Sequence, residues 1–458
     1  MLRLLPACGR MDATWYVRVI RVRTEDNRWR RPVSSPDPQV RAARNLADPP
    51  PENKSQKKSQ DKPQNEQQGT SDSTTENKTT EGESTDSTAV NRTEDRTEDK
   101  AVRSRSRSRG PVVAITGAAT GVGELLAARL AASEEIKQVV AIDERRGEVS
   151  EATWHILDVR DPAIAEKLRG ADVVVHLALD LDLETDPAAR TAYNVRGTQT
   201  VLTAAAAVGV HRVVLCTSAM VYGALPDNDI PLAEDAELRA TAEATGVGDL
   251  LEIERLGRRA PRAHPGLHVT VVRPTVLVGG TDTALTRYFE SPRLLVVAGS
   301  RPTWQFCHVD DLVTALEYAA LEKIDGEFAV GCDGWLEQEE VEEISGVRRM
   351  ELPSAVALGA AARLHRIGLT PSPAGDLAYT MHPWVVSVSR LHDAGWRPSW
   401  TNEEVLAALL EEVEGRHTLA GRRLGRKDAT AAGAAGATVA LLGTAALVRR
   451  ARKARRRI

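Results

Sequence analysis

Three glycines stand at a spacing that would let a polypeptide backbone bind a pyrophosphate group. The segment reads Thr116-Gly-Ala-Ala-Thr-Gly-Val-Gly123. Gly117 would permit a tight turn, Gly121 would let the backbone approach the phosphates, and Gly123 would allow a helix to pack closely on a strand. Thr120 and Val122 complete the set of candidate contacts. An apolar run precedes the segment and a helical pattern follows it, so the free N–H groups at the helix start would face the phosphates.

A carboxylate at the expected distance supports the same interpretation. Asp143 stands twenty residues after Gly123, at the end of the next apolar run. A carboxylate there binds the ribose hydroxyls of NAD and repels the 2′-phosphate of NADP. Arg145 and Arg146 follow closely and could accept a 2′-phosphate, so NADP is the less favoured alternative. The sequence therefore predicts an NAD site.

The elements that would position these residues alternate between short apolar runs and helical patterns. This alternation over residues 111–325 is typical of a parallel sheet with helices on both faces, a doubly wound α/β fold of the Rossmann type. Helices are predicted at 123–132, 161–169 and 188–208. Six strands are predicted, at residues 112–116, 138–142, 153–157, 173–177, 212–217 and 268–273.

The composition divides the chain into four regions. Residues 1–110 are of low complexity, rich in charged and small polar residues, and are predicted to be disordered. Residues 111–278 form the predicted dinucleotide-binding core. Residues 279–415, with short strands predicted at 303–308 and 328–330, are predicted to form a small cap over the carboxyl edge of the sheet. Residues 416–458 form a basic linker and tail.

The four cysteines, Cys8, Cys216, Cys307 and Cys332, show no paired spacing, which favours a reducing, cytoplasmic compartment. His308 precedes Asp310 and Asp311 without a third ligand at suitable spacing, so no metal site is predicted. The net charge of −4 is modest and excludes no function class by itself.

Several further motifs occur in a fixed order between about residues 112 and 410. With the glycine segment, they make the chain resemble the extended short-chain dehydrogenase/reductases, in particular the NAD-dependent epimerases and dehydratases that act on sugar nucleotides. The motifs are Asp158-Val159, His176-Leu-Ala178, Asn194-Val-Arg-Gly-Thr198, Thr217-Ser-Ala-Met-Val-Tyr-Gly223, Arg273-Pro274, Phe306-Cys-His-Val-Asp-Asp311 and Gly395-Trp-Arg-Pro398.

The resemblance implies roles for these positions. Asp158 and Val159 would contact the adenine, Leu177 and Ala178 would line the cofactor site together with Asn194, and Ser218 would orient a substrate. The resemblance further implies a nucleotide sugar as substrate. It also implies a homodimer formed by the helices at 188–208 and around Glu252.

One departure from the family pattern affects the predicted activity. In the family, a Tyr and a Lys four residues later transfer the proton, the Tyr as acid/base and the Lys lowering its pKa. The corresponding helix here has Gly246 and Leu250 at these positions. The catalytic pair is therefore missing.

Three interpretations remain open. The chain could be an oxidoreductase acting on a carbinol carbon with a substitute acid/base, for which Tyr222, His176, Asp249 and Glu252 are the candidates. It could be a cofactor-binding sensor without turnover. It could also be a membrane-associated scaffold that keeps only the surface of the fold.

The carboxy-terminal region allows a membrane role. Residues 429–448 are uncharged over a length that could cross a bilayer, and ten residues rich in arginine follow. A membrane anchor or surface-bound helix through residues 429–458 is one interpretation. An alanine-rich soluble helix with electrostatic attraction to nucleic acid, without specific recognition, and an unstructured tail are the others.

Overall fold

The computed structural model describes residues 110–243, 245–366, 374–414 and 416, together with the pairs 418–419 and 422–423. The predicted disordered arm and nearly all of the predicted tail lie outside the described residues. No helix within the described ranges is long and apolar enough to cross a membrane, and the stretch 429–448 is not among them.

A seven-stranded sheet, parallel throughout, forms the centre of the fold and confirms the predicted doubly wound α/β class. The strand order is β11-β6-β5-β4-β1-β2-β3. The three central strands at residues 112–116, 173–176 and 212–216 are buried along their whole length, as expected for strands covered on both faces. The strands are β1 (Val112–Thr116), β2 (Gln138–Asp143), β3 (Thr153–Ile156), β4 (Val173–His176), β5 (Arg212–Cys216), β6 (His268–Pro274) and β11 (Glu327–Val330).

The helices connect and cover these strands. Three helical segments of other types accompany them in the described residues, a π-helix at Ala192–Arg196 and 3₁₀-helices at Ala219–Tyr222 and Ala374–Thr380. The helices are α1 (Gly121–Ala132), α2 (Ile164–Lys167), α3 (Pro187–Thr191), α4 (Gly197–Val208), α5 (Gly246–Ala263), α6 (Ala284–Tyr288), α7 (Val309–Ala320), α8 (Gln338–Ser345), α9 (Ser354–Arg366), α10 (Ser389–Asp393) and α11 (Asn402–Val413).

The prediction of six strands was wrong by one. Residues 328–330, predicted to belong to the cap, form most of β11, which pairs in parallel with β6 and places Phe328 beside Val272. Both side chains are fully buried. Helix α7, also within residues 279–415, packs against α1 in the same core. Residues 275–308 separate both elements from β6, so local patterning could not show that the chain returns to the sheet.

Two predicted helices were also corrected. The helix predicted at 161–169 is only the single turn α2, at Ile164–Lys167. Residues 161–163 form a turn instead, in which the side chain of Asp161 accepts the backbone N–H of Ala163. The helix predicted at 188–208 is divided by the π-helix, which contains Asn194.

The rest of the 279–415 segment builds a second hydrophobic cluster with short paired strands. Aromatic side chains dominate it, with Trp304 stacked on Tyr288 at 5.1 Å and Phe289 edge-on to Trp304 at 5.1 Å. Its strands are β7 (Val276–Val278), β8 (Leu294–Val297), β9 (Thr303–Trp304), β10 (Phe306–His308), β12 (Leu336–Glu337) and β13 (Arg349–Leu352), and β14 (Thr418–Leu419) and β15 (Arg422–Arg423) form a separate hairpin.

Candidate functional site

The glycine segment joins β1 to α1 as a loop that has no room for side chains at two positions. Gly117 has φ +73°, and an added Cβ would lie 2.7 Å from the backbone nitrogen of Ala178. A Cβ on Gly123 would lie 1.9 Å from the carbonyl oxygen of Gly117. Since real Cβ atoms do not approach backbone so closely, both positions require glycine. The predicted roles of these two residues therefore have a steric basis.

The third glycine borders open space. Gly121 has φ +57°, and an added Cβ would meet no atom within 4 Å. It is the first residue of α1, and the side chain of the N-cap residue Thr120 makes no capping hydrogen bond. Val122 is half-buried against the core. The first turn of α1 thus presents backbone N–H groups that the side chain of Thr120 does not cap, beside space that a phosphate can enter.

Asp143 is the last residue of β2 and contacts the glycine loop directly. Its Oδ2 accepts the backbone N–H of Ala119 at 3.0 Å, and its Oδ1 accepts that of Arg145 at 3.3 Å. The side chains of Arg145 and Arg146 extend from an exposed part of the chain. The carboxylate therefore lies at the carboxyl edge of the sheet, next to the loop, as the sequence predicted.

Asp158 follows β3 at the same edge and forms an ion pair with Arg160. The guanidinium Nε donates to both carboxylate oxygens, at 2.9 and 3.0 Å, and these hydrogen bonds hold the pKa of Asp158 below its usual value. Val159 differs, because its side chain is buried and contacts Gly197. Only its backbone remains for the predicted adenine contact.

The loop after β4 is held in place by Asn194. The amide oxygen of Asn194 accepts the backbone N–H of Asp180 at 2.7 Å, and its nitrogen donates to the carbonyl of Asp180 at 2.8 Å. Leu177 and Ala178 begin this loop and pack against Gly117. Asn194 thus shapes the wall of the predicted cofactor site, and its side chain is used within the protein.

Ser218 lies after β5 and caps the 3₁₀-helix. Its Oγ accepts the backbone N–H of Met220 at 3.2 Å and donates to the carbonyl of Pro274 at 3.4 Å. The second bond is long for O–H···O. The residue is half-buried at the carboxyl edge, so the predicted substrate contact remains sterically open.

His176, one acid/base candidate, is fully enclosed. Its ring nitrogens contact Thr116 Oγ1 at 2.7 Å and Thr198 Oγ1 at 3.0 Å. Burial lowers the pKa of His176 to about 4. This histidine is neutral and has both nitrogens occupied, which does not suit a proton donor for a ligand.

The side chain of Tyr222, a second acid/base candidate, is likewise buried. Its hydroxyl donates to the carbonyl of Glu234 at 2.7 Å and accepts from Arg273 at 2.9 Å. Burial, only partly opposed by the charge of Arg273, raises the pKa of Tyr222 to about 12.

The two carboxylate candidates lie on α5. Asp249 is buried and accepts Arg190 Nε at 2.9 Å and Thr191 Oγ1 at 2.7 Å. Glu252 is on the outer face and pairs with Arg255 at 3.1 Å. The oxygens of Asp249 are thus occupied inside the protein, and Glu252 is held by Arg255 on the helix surface.

The positions of the missing catalytic pair lie at the start of α5. The helix begins at Gly246, after the N-cap Thr245, whose side chain accepts the N–H of Gly248 at 3.0 Å. A Cβ on Gly246 would meet no atom within 4 Å, and Leu250 is buried. An opening thus stands at the tyrosine position, and an apolar side chain replaces the lysine.

Sequence reasoning missed a buried charge network behind this site. Glu254 and Arg273, both fully buried, form two hydrogen bonds of 2.8 Å each, and Glu254 also accepts Thr217 Oγ1 at 2.7 Å. Arg273 further contacts Glu327 at 2.6 Å, and Glu327 pairs with Arg258. The network joins α5 to β5, β6 and β11. Arg273 belongs to one of the sequence motifs, but only the folded chain shows that Glu254 is its partner.

Comparisons with known proteins agree with this architecture. A family model described as the NAD dependent epimerase/dehydratase family matches residues 113–331. An uncharacterized protein of Mycobacterium tuberculosis is 30% identical over 308 residues, covering 64% of this chain and 81% of that protein. An uncharacterized protein of Sinorhizobium fredii is 24% identical over 259 residues, covering 53% and 63%.

Solved structures share the fold. The UDP-glucose 4-epimerase of Thermotoga maritima, solved with UDP-glucose, aligns with a TM-score of 0.50 at 18% identity, covering 66% of this chain and 98% of that one. The Thermus thermophilus UDP-glucose 4-epimerase in complex with NAD aligns with a TM-score of 0.50 at 18% identity, covering 66% and 99%. With the family match, the identity to the mycobacterial relative and the glycine loop joined to Asp143, the chain belongs to the NAD dependent epimerase/dehydratase family.

Proposed function

We propose that this protein binds NAD(H) at the β1–α1 loop and does not perform the proton transfer of its family, so that the bound dinucleotide acts as a signal that a partner reads. The proposal rests on two features seen together. The β1–α1 loop has two positions, Gly117 and Gly123, where only glycine fits. The positions of the family's catalytic tyrosine and lysine are occupied by Gly246 and Leu250.

The residues at the loop fit a dinucleotide. Gly117 and Gly123 allow backbone approaches that any Cβ would block, and Gly121 leaves free space at the start of α1. Asp143 stands where a ribose hydroxyl would donate to it. Asp158 and the backbone of Val159 would contact the adenine. The rest of the cofactor site would be lined by Leu177, Ala178 and Asn194.

The preference for NAD over NADP has an electrostatic reason. Asp143 and Asp158 both lie at the carboxyl edge of the neighbouring strands β2 and β3. A 2′-phosphate adds about 1.5 to 2 negative charges near neutral pH, as other phosphomonoesters do. Carboxylates at this edge therefore disfavour NADP.

The lack of turnover follows from the state of the remaining candidates. NAD supplies a hydride acceptor when bound, and a carbinol substrate must then also lose a proton. His176, Tyr222 and Asp249 are each buried with their polar atoms occupied. Glu252 is on the outer face of α5. None of them can take that proton without first breaking these contacts.

A second candidate function is oxidation of a carbinol on a nucleotide sugar. The position of Ser218 favours it, because its hydroxyl proton is donated only over 3.4 Å, to the carbonyl of Pro274, and could instead be donated to a substrate. The epimerases that share the fold act on such sugars by their names.

We further propose a cytoplasmic location, a homodimer and membrane association through residues 429–458 as separate expectations.

The test is a thermal melt of the full chain with NAD, NADH, NADP and NADPH, repeated on Asp143→Asn. The amide keeps an acceptor for Ala119, and removes the charge together with the longer hydrogen bond from Arg145. A ligand at about a hundred times its Kd should add about 2.7 kcal/mol of stability. Stabilisation by NAD or NADH that weakens in the variant supports the proposal. The proposal would be excluded if the melting temperature with each of the four dinucleotides equalled that of the ligand-free protein.

A further inference from the structure

Arg160 follows β3 at the carboxyl edge of the sheet, next to the strand that ends in Asp143. Strands β2 and β3 pair in parallel with Asp143 opposite Ile156, and the backbone N–H of Leu157 donates to the carbonyl of Asp143 at 2.9 Å. The chain continues from there through Asp158 to Arg160. Both residues therefore follow β3 at the edge where Asp143 ends β2.

The guanidinium of Arg160 is held on two sides. Asp158 accepts its Nε at 2.9 and 3.0 Å and also accepts the backbone N–H of Arg160 at 2.8 Å. The guanidinium carbon lies 5.3 Å from the ring centre of Tyr193, within the distance of a cation–π contact. Because the pair joins residues two positions apart and includes a backbone bond, holding the side chain costs little conformational entropy.

The surrounding charges are acidic. The carboxylates of Asp158 and Glu144 raise the pKa of Arg160. Burial, together with the charges of Glu144, Asp143 and Asp158, raises the pKa of Tyr193 to about 12. Asp143, Glu144 and Asp158 thus act on Tyr193 with negative charge, and the guanidinium of Arg160 is bound to Asp158.

A free guanidinium at this place would suit NADP. Arginine binds phosphate in a planar, two-pronged geometry, and an arginine near the ribose is the usual way to accommodate the 2′-phosphate. Here that geometry is already used for a carboxylate. Arg145 and Arg146 extend from a different loop, after β2.

We propose that Asp158 is a specificity-determining residue that keeps Arg160 from binding a 2′-phosphate and thereby excludes NADP. This inference rests on the proposed NAD(H) site. It assigns the selectivity to a pair after β3, in addition to the carboxylate of Asp143 at the end of β2. Tyr193 supports the pair by keeping the guanidinium plane over its ring.

The experiment is a fluorescence titration of the full chain with NADH and with NADPH, which gives the ratio of the two dissociation constants. The variants are Asp158→Asn, Arg160→Gln and the double variant. Glu151→Gln is the control, because it makes the same change of charge before β3, at the opposite edge of the sheet.

Asp158→Asn should shift the ratio at least about tenfold toward NADPH, the effect of one charge-assisted contact. The double variant should lose this gain, and Arg160→Gln should move the ratio toward NADH because it uncovers the carboxylate of Asp158. The control should keep the wild-type ratio. These results together would support the inference.

Other outcomes would overturn it in distinguishable ways. If Asp158→Asn binds NADH tightly and keeps the wild-type ratio of the two dissociation constants, the role of Asp158 in selectivity would be excluded, while the proposed NAD(H) site would stand. A gain that persists in the double variant would show that lost repulsion suffices and that Arg160 has no part. Failure of the wild-type chain to bind either dinucleotide would exclude the proposed function as well.

Discussion

The buried pair of Glu254 and Arg273 should be the ionic contact whose loss costs the fold most among those around the site. Both side chains are fully buried, and Arg273 donates two hydrogen bonds of 2.8 Å to the carboxylate. Glu254→Ala leaves a guanidinium inside the protein that retains only Glu327 as a charged partner. Breaking one side of a buried pair costs about 3–5 kcal/mol, and the remaining partner favours the lower end, about 3 kcal/mol.

The assay is thermal unfolding of the full chain combined with a double-mutant cycle. A loss of about 3 kcal/mol should lower Tm by roughly 5 °C for a fold of about 300 residues, because the entropy of unfolding is about 2.1 cal/mol/K per residue. Arg273→Met should cost a similar amount, because it leaves Glu254 as an uncompensated buried charge. The variant carrying both Glu254→Ala and Arg273→Met should be more stable than the sum of the two single losses predicts, by about 1–3 kcal/mol.

A control exists in the same network. Arg258 pairs with Glu327 from the protein surface, with 47% of its side chain exposed. Arg258→Met should therefore cost no more than about 1 kcal/mol. The reasoning would be refuted if Glu254→Ala cost as little as this control, or if the two single effects were simply additive.

Three other predictions follow from the described contacts. Gly123→Ala should abolish NADH binding and destabilise the fold by about 1–3 kcal/mol, because its Cβ would lie 1.9 Å from the oxygen of Gly117; Gly246→Ala, with no atom near its Cβ, should be neutral or slightly stabilising in the same melt. His176 has a pKa of about 4 in the folded protein, against 6.5 for an ordinary histidine. Between these values the unfolded chain binds more protons, so stability should fall as pH drops, by at most about 1.4 kcal/mol per pH unit. Chemical denaturation across this range should show a dependence of the unfolding free energy on pH that His176→Asn reduces. Burial alone would raise the pKa of Glu327, but Arg258 and Arg273 lower it to about 2, so its contribution should persist above pH 4.5 and disappear on acidification toward pH 2, and Glu327→Gln should remove this part of the acid transition.

The sequence predicted the parts of the site that depend on local spacing. The glycine loop, Asp143 and the first six strands follow from short patterns, because a strand, a turn and a helix start are each decided within a few residues. The missing tyrosine and lysine were equally visible, since Gly246 and Leu250 occupy their positions in the sequence.

The sequence could not predict contacts between distant segments. Strand β11 joins the sheet after a long excursion through the second cluster, and its apolar run is too short to reveal a partner. The pairing of Glu254 with Arg273 likewise depends on α5 lying over β6. Val159 was assigned to the adenine, yet its side chain faces the core, because a motif gives the position of a residue but not the direction of its side chain.

The most direct test of the central claim is a turnover assay on protein saturated with NAD. UDP-glucose, UDP-galactose and dTDP-glucose would each be added to the full chain, with formation of reduced nicotinamide followed by absorbance and of new sugars by chromatography. The account predicts retained NAD and no change in either signal, for the wild type and for Ser218→Ala alike. Catalytic conversion of any of the three sugars that is lost in Ser218→Ala would contradict the account and establish an enzyme with an unrecognised acid/base.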